Sequence, residues 1–304
     1  AKDYREELFY GHGAEEIHTI PEQGEISKED KMWQSRYFKR YAENRIAAYK
    51  SRKQRFVNSD ERFKGVELRK AIHPLLRRIL HIKSLLCGMT YEVLGNSKGT
   101  IKSKTVVYAG THIGKGDWEM LMEAFDMFSY PVAGDWELMY GEIDDYFLRF
   151  HGVMYMDTED KTDRKNTFRL MLKALKSGIS VFIFPEGIWN LSESLPMLPI
   201  FPGAVKAAKL SGVPIVPVAI DQRGKHFTMN VGKIFEVETE EWDRETEKLR
   251  DILATLKWEI WEHYPTECRA DIPQGYFEQF IDERLAEWPH FNMDIVKHRV
   301  RKEN

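Results

Sequence analysis

Only two cysteines occur in 304 residues, Cys87 and Cys268, and they lie far apart. That spacing offers no disulfide framework and points to a reducing compartment. Long apolar runs are missing too. No stretch approaches the roughly eighteen apolar residues that a membrane-spanning helix needs, and the chain opens on no signal-peptide pattern. Internal repeats and low-complexity tracts are absent. So are zinc-binding and RNP-like patterns, which leaves nucleic acid without a recognition motif and off the list of expected partners. From these lacks we expect a cytoplasmic protein, and from the basic amphipathic segment described next one that is peripheral on the inner face of the membrane.

What is present is a chain with 42% apolar residues, enough for one large or two ordinary domains. Its formal net charge of −3 is unevenly spread. Residues 31–83 hold 16 Lys and Arg against 4 Asp and Glu, a balance of +12, leaving 29 against 44 elsewhere. Such a segment either meets an anionic surface or presents a solvated helix face. Residues 1–30 read as a polar leader, and 31–57 as a charged helix with Trp33, Tyr37, Phe38 and Tyr41 on one side. Over 66–87 the spacing is clearer. Ile72, Leu75, Leu76, Ile79, Ile82 and Leu86 form one stripe, with Arg77, Arg78, His81 and Lys83 opposite and Pro74 expected in the first turn. This helix either lies in a membrane interface or packs its stripe on the core with its charges in water.

From about residue 90, strand-like runs alternate with helical ones. Strands are expected near 90–94, 104–110, 130–134, 152–156, 179–184, 213–220 and 226–235, and helices near 116–128, 143–150, 163–177, 202–211 and 243–263. The alternation predicts an α/β fold, a mostly parallel sheet flanked by helices, behind an N-terminal basic helical region. We divide the chain into a leader with basic amphipathic helices (1–88), an α/β core (89–270) and a tail (271–304), whose Trp288 and Phe291 are expected to pack back on the core.

Chemistry concentrates in Thr111-His112-Ile113-Gly114-Lys115-Gly116-Asp117, just after the strand-like run at 105–109. An α/β sheet presents reactive groups at the carboxyl ends of strands, beside helix N-termini. His112 and Asp117 stand five positions apart and face different ways on a regular helix. A turn permitted by Gly114 and Gly116 would bring the carboxylate to the imidazole as in a catalytic dyad. The other reading makes Asp117 a helix cap. A second run, 179–184, ends in Pro185-Glu186-Gly187, and a third contains Val216-Pro217-Val218-Ala219, whose proline suggests an edge or a bulge.

Taken in order, His-x4-Asp, Phe-Pro-Glu-Gly and Val-Pro-Val-Ala resemble the glycerophospholipid acyltransferase family, which includes the bacterial 1-acyl-glycerol-3-phosphate acyltransferases. The resemblance covers roughly residues 70 to 235. It implies transfer of a fatty acyl chain from acyl-CoA or acyl-carrier protein to a lysophospholipid-type acceptor. His112 would be the general base and Asp117 its orienting partner. No covalent enzyme intermediate, metal or cofactor is implied beyond the thioester donor. Gly114, Lys115, Glu186, Gly187, Trp189, Asn190 and Pro217 would surround the substrate, with Glu186 hydrogen-bonded to the acceptor. Two departures bear on that acceptor. Ile188-Trp189-Asn190 stands where the family commonly has Thr-Arg-Ser. Asp157-Thr158 follows Gly152-Val153-Met154-Tyr155-Met156 where the family has an arginine for the acceptor phosphate. Arg164, or Lys161, is the nearest substitute. Guanidinium suits phosphate through bidentate geometry, so its loss opens a rival reading with a non-glycerolipid amine or hydroxyl acceptor. A third reading is a catalytically silent lipid-binding module.

Other patterns carry less. Gly95-Asn96-Ser97-Lys98-Gly99 matches a nucleophile elbow, but a strand rather than a helix follows, so a hairpin turn is expected. Gly110 to Gly116 lacks the Gly-Lys-Ser/Thr ending of a phosphate loop. Asp157, Glu159, Asp160 and Asp163 lack calcium-loop spacing and read as solvated. Asn190-Leu191-Ser192 is a sequon without a secretory context.

Overall fold

The computed structural model describes residues 61–94, 104–114, 116–126, 128–134, 143–156, 160–192, 194–265 and 268–287. The expected leader and the 31–57 helix, Lys115, Asp157-Thr158, Glu159, Trp288 and Phe291 lie outside the described residues. A long helix α1 (Val66–Leu86) leads into β1 (Thr90–Leu94) and β2 (Val107–Gly110). There follow α2 (Asp117–Phe125), β3 (Ser129–Ala133), α3 (Ile143–Phe150), β4 (Met154–Tyr155), α4 (Lys161–Lys176) and β5 (Ser180–Ile183). The chain continues through α5 (Gly203–Ser211), β6 (Ile215–Arg223), β7 (His226–Val231), α6 (Trp242–His263) and α7 (Tyr276–Glu287).

The strands form one seven-stranded sheet in the order β1-β7-β6-β2-β5-β3-β4. All neighbours are parallel except β6 and β7, a hairpin in which Val218 pairs with Val231 and Arg223 with His226. The expected α/β fold, with its mostly parallel sheet between helices, is therefore present. Gly95–Gly99, where a hairpin turn is expected, lies outside the described residues; the strands on either side of it are not neighbours, since β1 pairs with β7 at the edge and β2 with β5 and β6 at the centre.

Central parallel strands are covered on both faces, so they read as continuous apolar runs. Alternate residues of β2 serve opposite layers. Tyr108 joins Trp118, Leu121 and Phe125 of α2, while Val107 and Ala109 join α4, α5 and α6 through Leu175, Ala204 and Leu249. Pro217 sits in the interior strand β6, not at an edge. The bulge alternative holds. Between the pairs Val218–Val231 and Ile215–Phe235 the β7 side carries one residue more than the β6 side, and the Gly232 N–H closes the gap on the Pro217 carbonyl at 2.9 Å. A Cβ on Gly232 would stand 2.8 Å from the Pro217 ring and 2.9 Å from Leu256. The Pro217 ring is thus packed in the layer of α6.

Helix α1 reverses the usual amphipathic arrangement. Its polar side faces α2: Arg77 donates to the carbonyls of Met122 and Glu123 and pairs with Asp126. His81 and Ser84 hold the two oxygens of buried Glu123, and Lys83 pairs with Glu119. The apolar stripe turns outward, with Leu75 56%, Ile82 55% and Leu86 84% exposed. Packing of that stripe on the sheet, one of the two expectations, is not what forms. Pro74 lies inside the helix rather than in its first turn, because the helix starts at Val66. Among the described residues no helix is long and apolar enough to cross a membrane.

A histidine pair locks this corner. His151 Nδ1 donates to the Phe147 carbonyl at 2.9 Å. Its Nε2 therefore accepts, and His73 Nδ1 donates to it at 3.3 Å. Burial, reinforced by His151, lowers the His73 imidazole from its ordinary 6.5 to about 4. The folded state thus refuses a proton that the unfolded chain takes up near pH 6.5. The stability this contributes is complete above that pH and is lost as pH falls toward 4. We expect wild-type protein to lose up to about 3 kcal/mol through this residue over that window, and His73→Gln to lose measurably less. Urea unfolding at pH 7 and pH 5 measures both. Equal pH slopes would show that His73 titrates alike in both states.

Candidate active site

The sheet order reverses around β2. The crossover from β2 to β3 passes over one face through α2, and that from β5 to β6 over the other through α5. Ligand crevices in open α/β sheets form at such a switch, outside the carboxyl ends of the strands. His112 leaves the end of β2 there, and Phe184-Pro185-Glu186 leaves the end of the adjacent β5.

Gly116 makes the turn between His112 and Asp117, with φ of 93° in the left-handed region that glycine enters freely. Asp117 opens α2, but its carboxylate reaches back rather than capping the helix. A single oxygen, Oδ2, accepts from His112 Nδ1 at 3.0 Å, from the Ile113 N–H at 2.7 Å and from the Gly114 N–H at 3.1 Å. Asp117 is 1% exposed, and its Oδ1 is buried with no hydrogen-bond partner among the described residues. Because a carboxylate only accepts, the proton of neutral His112 is on Nδ1 and the lone pair is on Nε2. That is the tautomer of a general base.

Two aromatic side chains bracket the imidazole. Phe184 stacks flat on it at 3.9 Å between ring centres and 8° between planes. Trp189 meets it edge-on at 6.1 Å. A π face attracts a cation. Phe184 was not among the residues expected here. It ends the apolar run before Pro185-Glu186, but its ring contact spans 72 positions, and no local pattern reveals it.

Glu186, expected on the acceptor, is instead fully buried. Its Oε1 accepts from the backbone N–H of His112 at 3.0 Å and its Oε2 from that of Leu198 at 2.9 Å. The carboxylate ties three loops together. Asn190 is likewise committed to its own loop. Its Nδ2 donates to the Leu195 carbonyl, its Oδ1 accepts from Ser192, and its N–H donates to the His112 carbonyl at 2.7 Å. Gly187 is exposed with φ of 67°, and a Cβ there would stand 2.9 Å from the Phe201 ring. Arg164 lies in the early turns of α4, which starts beyond the carboxyl end of β4 and so on the same sheet edge as His112. Asp160 caps that helix, accepting from Thr162 and Asp163. Among the described residues no group of three His, Cys, Asp or Glu could hold a metal ion.

Comparison with known proteins bears on this arrangement. Residues 93–221 match the Acyltransferase family. A 1-acyl-sn-glycerol-3-phosphate acyltransferase from Saccharomyces cerevisiae is 26% identical over 145 residues, 47% of this chain and 47% of that protein. One from Haemophilus influenzae is 32% identical over 92 residues, 28% of this chain and 38% of that protein. The chain thus aligns with less than half the length of these curated relatives. Among solved structures, the 1-acyl-sn-glycerophosphate (LPA) acyltransferase PlsC of Thermotoga maritima superposes with a TM-score of 0.55 at 13% identity, over 77% of this chain and 99% of that one. At that identity the likeness is one of fold.

Proposed function

We propose that this chain, whose residues 93–221 match the Acyltransferase family, is an enzyme that moves a fatty acyl chain from a thioester donor to a lysophospholipid-type acceptor. The observation that carries the reading is the 3.0 Å contact between Asp117 Oδ2 and His112 Nδ1, which leaves Nε2 as the basic nitrogen of a neutral ring. Nε2 removes the proton of the acceptor hydroxyl as its oxygen attacks the thioester carbonyl. The tetrahedral intermediate collapses, the C–S bond breaks, and the imidazolium returns the proton to the departing thiolate. Asp117 and the face of Phe184 stabilise the imidazolium between those steps.

A lipid acceptor has to be met at a surface. The outward stripe of α1, Leu75, Ile79, Ile82 and Leu86, with exposed Arg78 beside it, suits the interface of an anionic membrane. The acceptor headgroup is set by what stands near His112, and Trp189 at its edge disfavours a phosphate there. One vesicle assay tests both points. Palmitoyl-CoA or palmitoyl-carrier protein is offered with lysophosphatidate, other lysolipids and long-chain amines in neutral or anionic vesicles. We expect transfer to another lysolipid to exceed transfer to lysophosphatidate. Protein should sediment with anionic vesicles only, and Leu75→Ser with Ile82→Ser should release it. Preference for lysophosphatidate that is lost in Arg164→Ala would make Arg164 the phosphate ligand. Transfer to no acceptor from either donor would end the reading.

A further inference from the structure

The way β2 ends is set by one side chain. In a parallel ladder, a residue donates its N–H to one residue of the neighbouring strand and accepts at its own carbonyl from the residue two further along. Thr111 begins such a pair. Its N–H donates to the Val218 carbonyl at 3.1 Å, continuing the register that sets Gly110 against Val218. The matching half would be the Ile220 N–H on the Thr111 carbonyl. Instead, the Ile220 N–H donates to the Thr111 hydroxyl at 3.0 Å, and that hydroxyl donates to the Ile220 carbonyl at 3.3 Å. Lys257 of α6 reaches the same carbonyl at 2.6 Å and Asp221 Oδ1 at 2.6 Å. Thr111 is 1% and Lys257 3% exposed, so these bonds form away from water.

We infer that Thr111 is a positioning residue for His112: its hydroxyl fills the ladder position that its own carbonyl would otherwise take. Both polar groups of Ile220 on that side are satisfied by a side chain, as buried backbone groups require. The peptide after Thr111 is thereby released from the sheet at the point where the chain must turn. A residue of the same shape without the hydroxyl leaves the Ile220 N–H to the Thr111 carbonyl. Taking that bond lengthens β2 and draws His112 away from Asp117. The inference rests on His112 acting as the base, and it assigns Thr111 no contact with substrate.

The test compares wild type, Thr111→Val, Thr111→Ser and His112→Ala with palmitoyl-CoA and the best accepting lysolipid. Thr111→Val is expected to lower kcat by about 10–100-fold while KM for palmitoyl-CoA stays within about threefold, since misplacement of a reacting group by an ångström costs turnover. Thr111→Ser should restore kcat to within about threefold. Should Thr111→Val not fold, Thr111→Ala is measured in the same way. An inactive His112→Ala beside a Thr111→Val with wild-type kcat overturns the Thr111 inference alone. Failure of Thr111→Ser to rescue overturns it as well. Activity in His112→Ala removes the base and the inference with it.

Discussion

Replacing His112 with alanine is expected to lower kcat/KM by about 10²–10⁴-fold, the usual contribution of a general base, and to leave the protein folded. The second half follows from where His112 is tied down. Its N–H is held by Glu186 and its carbonyl by Asn190, both backbone contacts that alanine keeps. What disappears is the ring: the Nε2 lone pair, the Asp117 contact and the stacking on Phe184. Steady-state transfer together with a thermal melt separates the two effects. Retention of more than about a tenth of wild-type turnover would remove His112 from the role.

Asp117→Asn is the sharper probe of electrostatics, with a further loss of about 10²–10⁴-fold expected. An amide oxygen in the place of Oδ2 can still accept from Ile113 and Gly114, so the loop is kept in outline. It carries no charge to stabilise the imidazolium. If the amide turns round, its NH₂ opposes two N–H groups and the His112 Nδ1–H, and the tautomer is lost. Asp117→Ala removes the two loop acceptors as well and should add a drop in melting temperature. Near-normal turnover of Asp117→Asn with a lowered melting temperature would assign the carboxylate to loop bracing only.

Much of this was legible in the residues because the relevant interactions are short-range. Strand runs buried on both faces are continuously apolar, and helices between them repeat at 3.6 residues, so element order and fold class follow from spacing. His112 and Asp117 are five positions apart with a glycine between them in the left-handed region, so the turn that can bring them together is local. That Pro217 marks an edge or a bulge was legible for a similar reason, since a residue without an N–H interrupts a ladder; the interior place of β6 left the bulge.

The tertiary structure decided what distant segments share. Glu186 stands 74 positions from His112 and 12 from Leu198. Nothing local tells a carboxylate that binds substrate from one that binds two backbone amides. Only the adjacency of β2 and β5 makes it the latter. The orientation of α1 has the same origin. Its spacing shows two faces but not which one is inward. The choice fell to α2, where Glu119, Glu123 and Asp126 meet Lys83, His81 and Arg77. A helix docked by its charges leaves Leu75, Ile82 and Leu86 to the outside, and that outcome depends on the partner helix as much as on the sequence of α1.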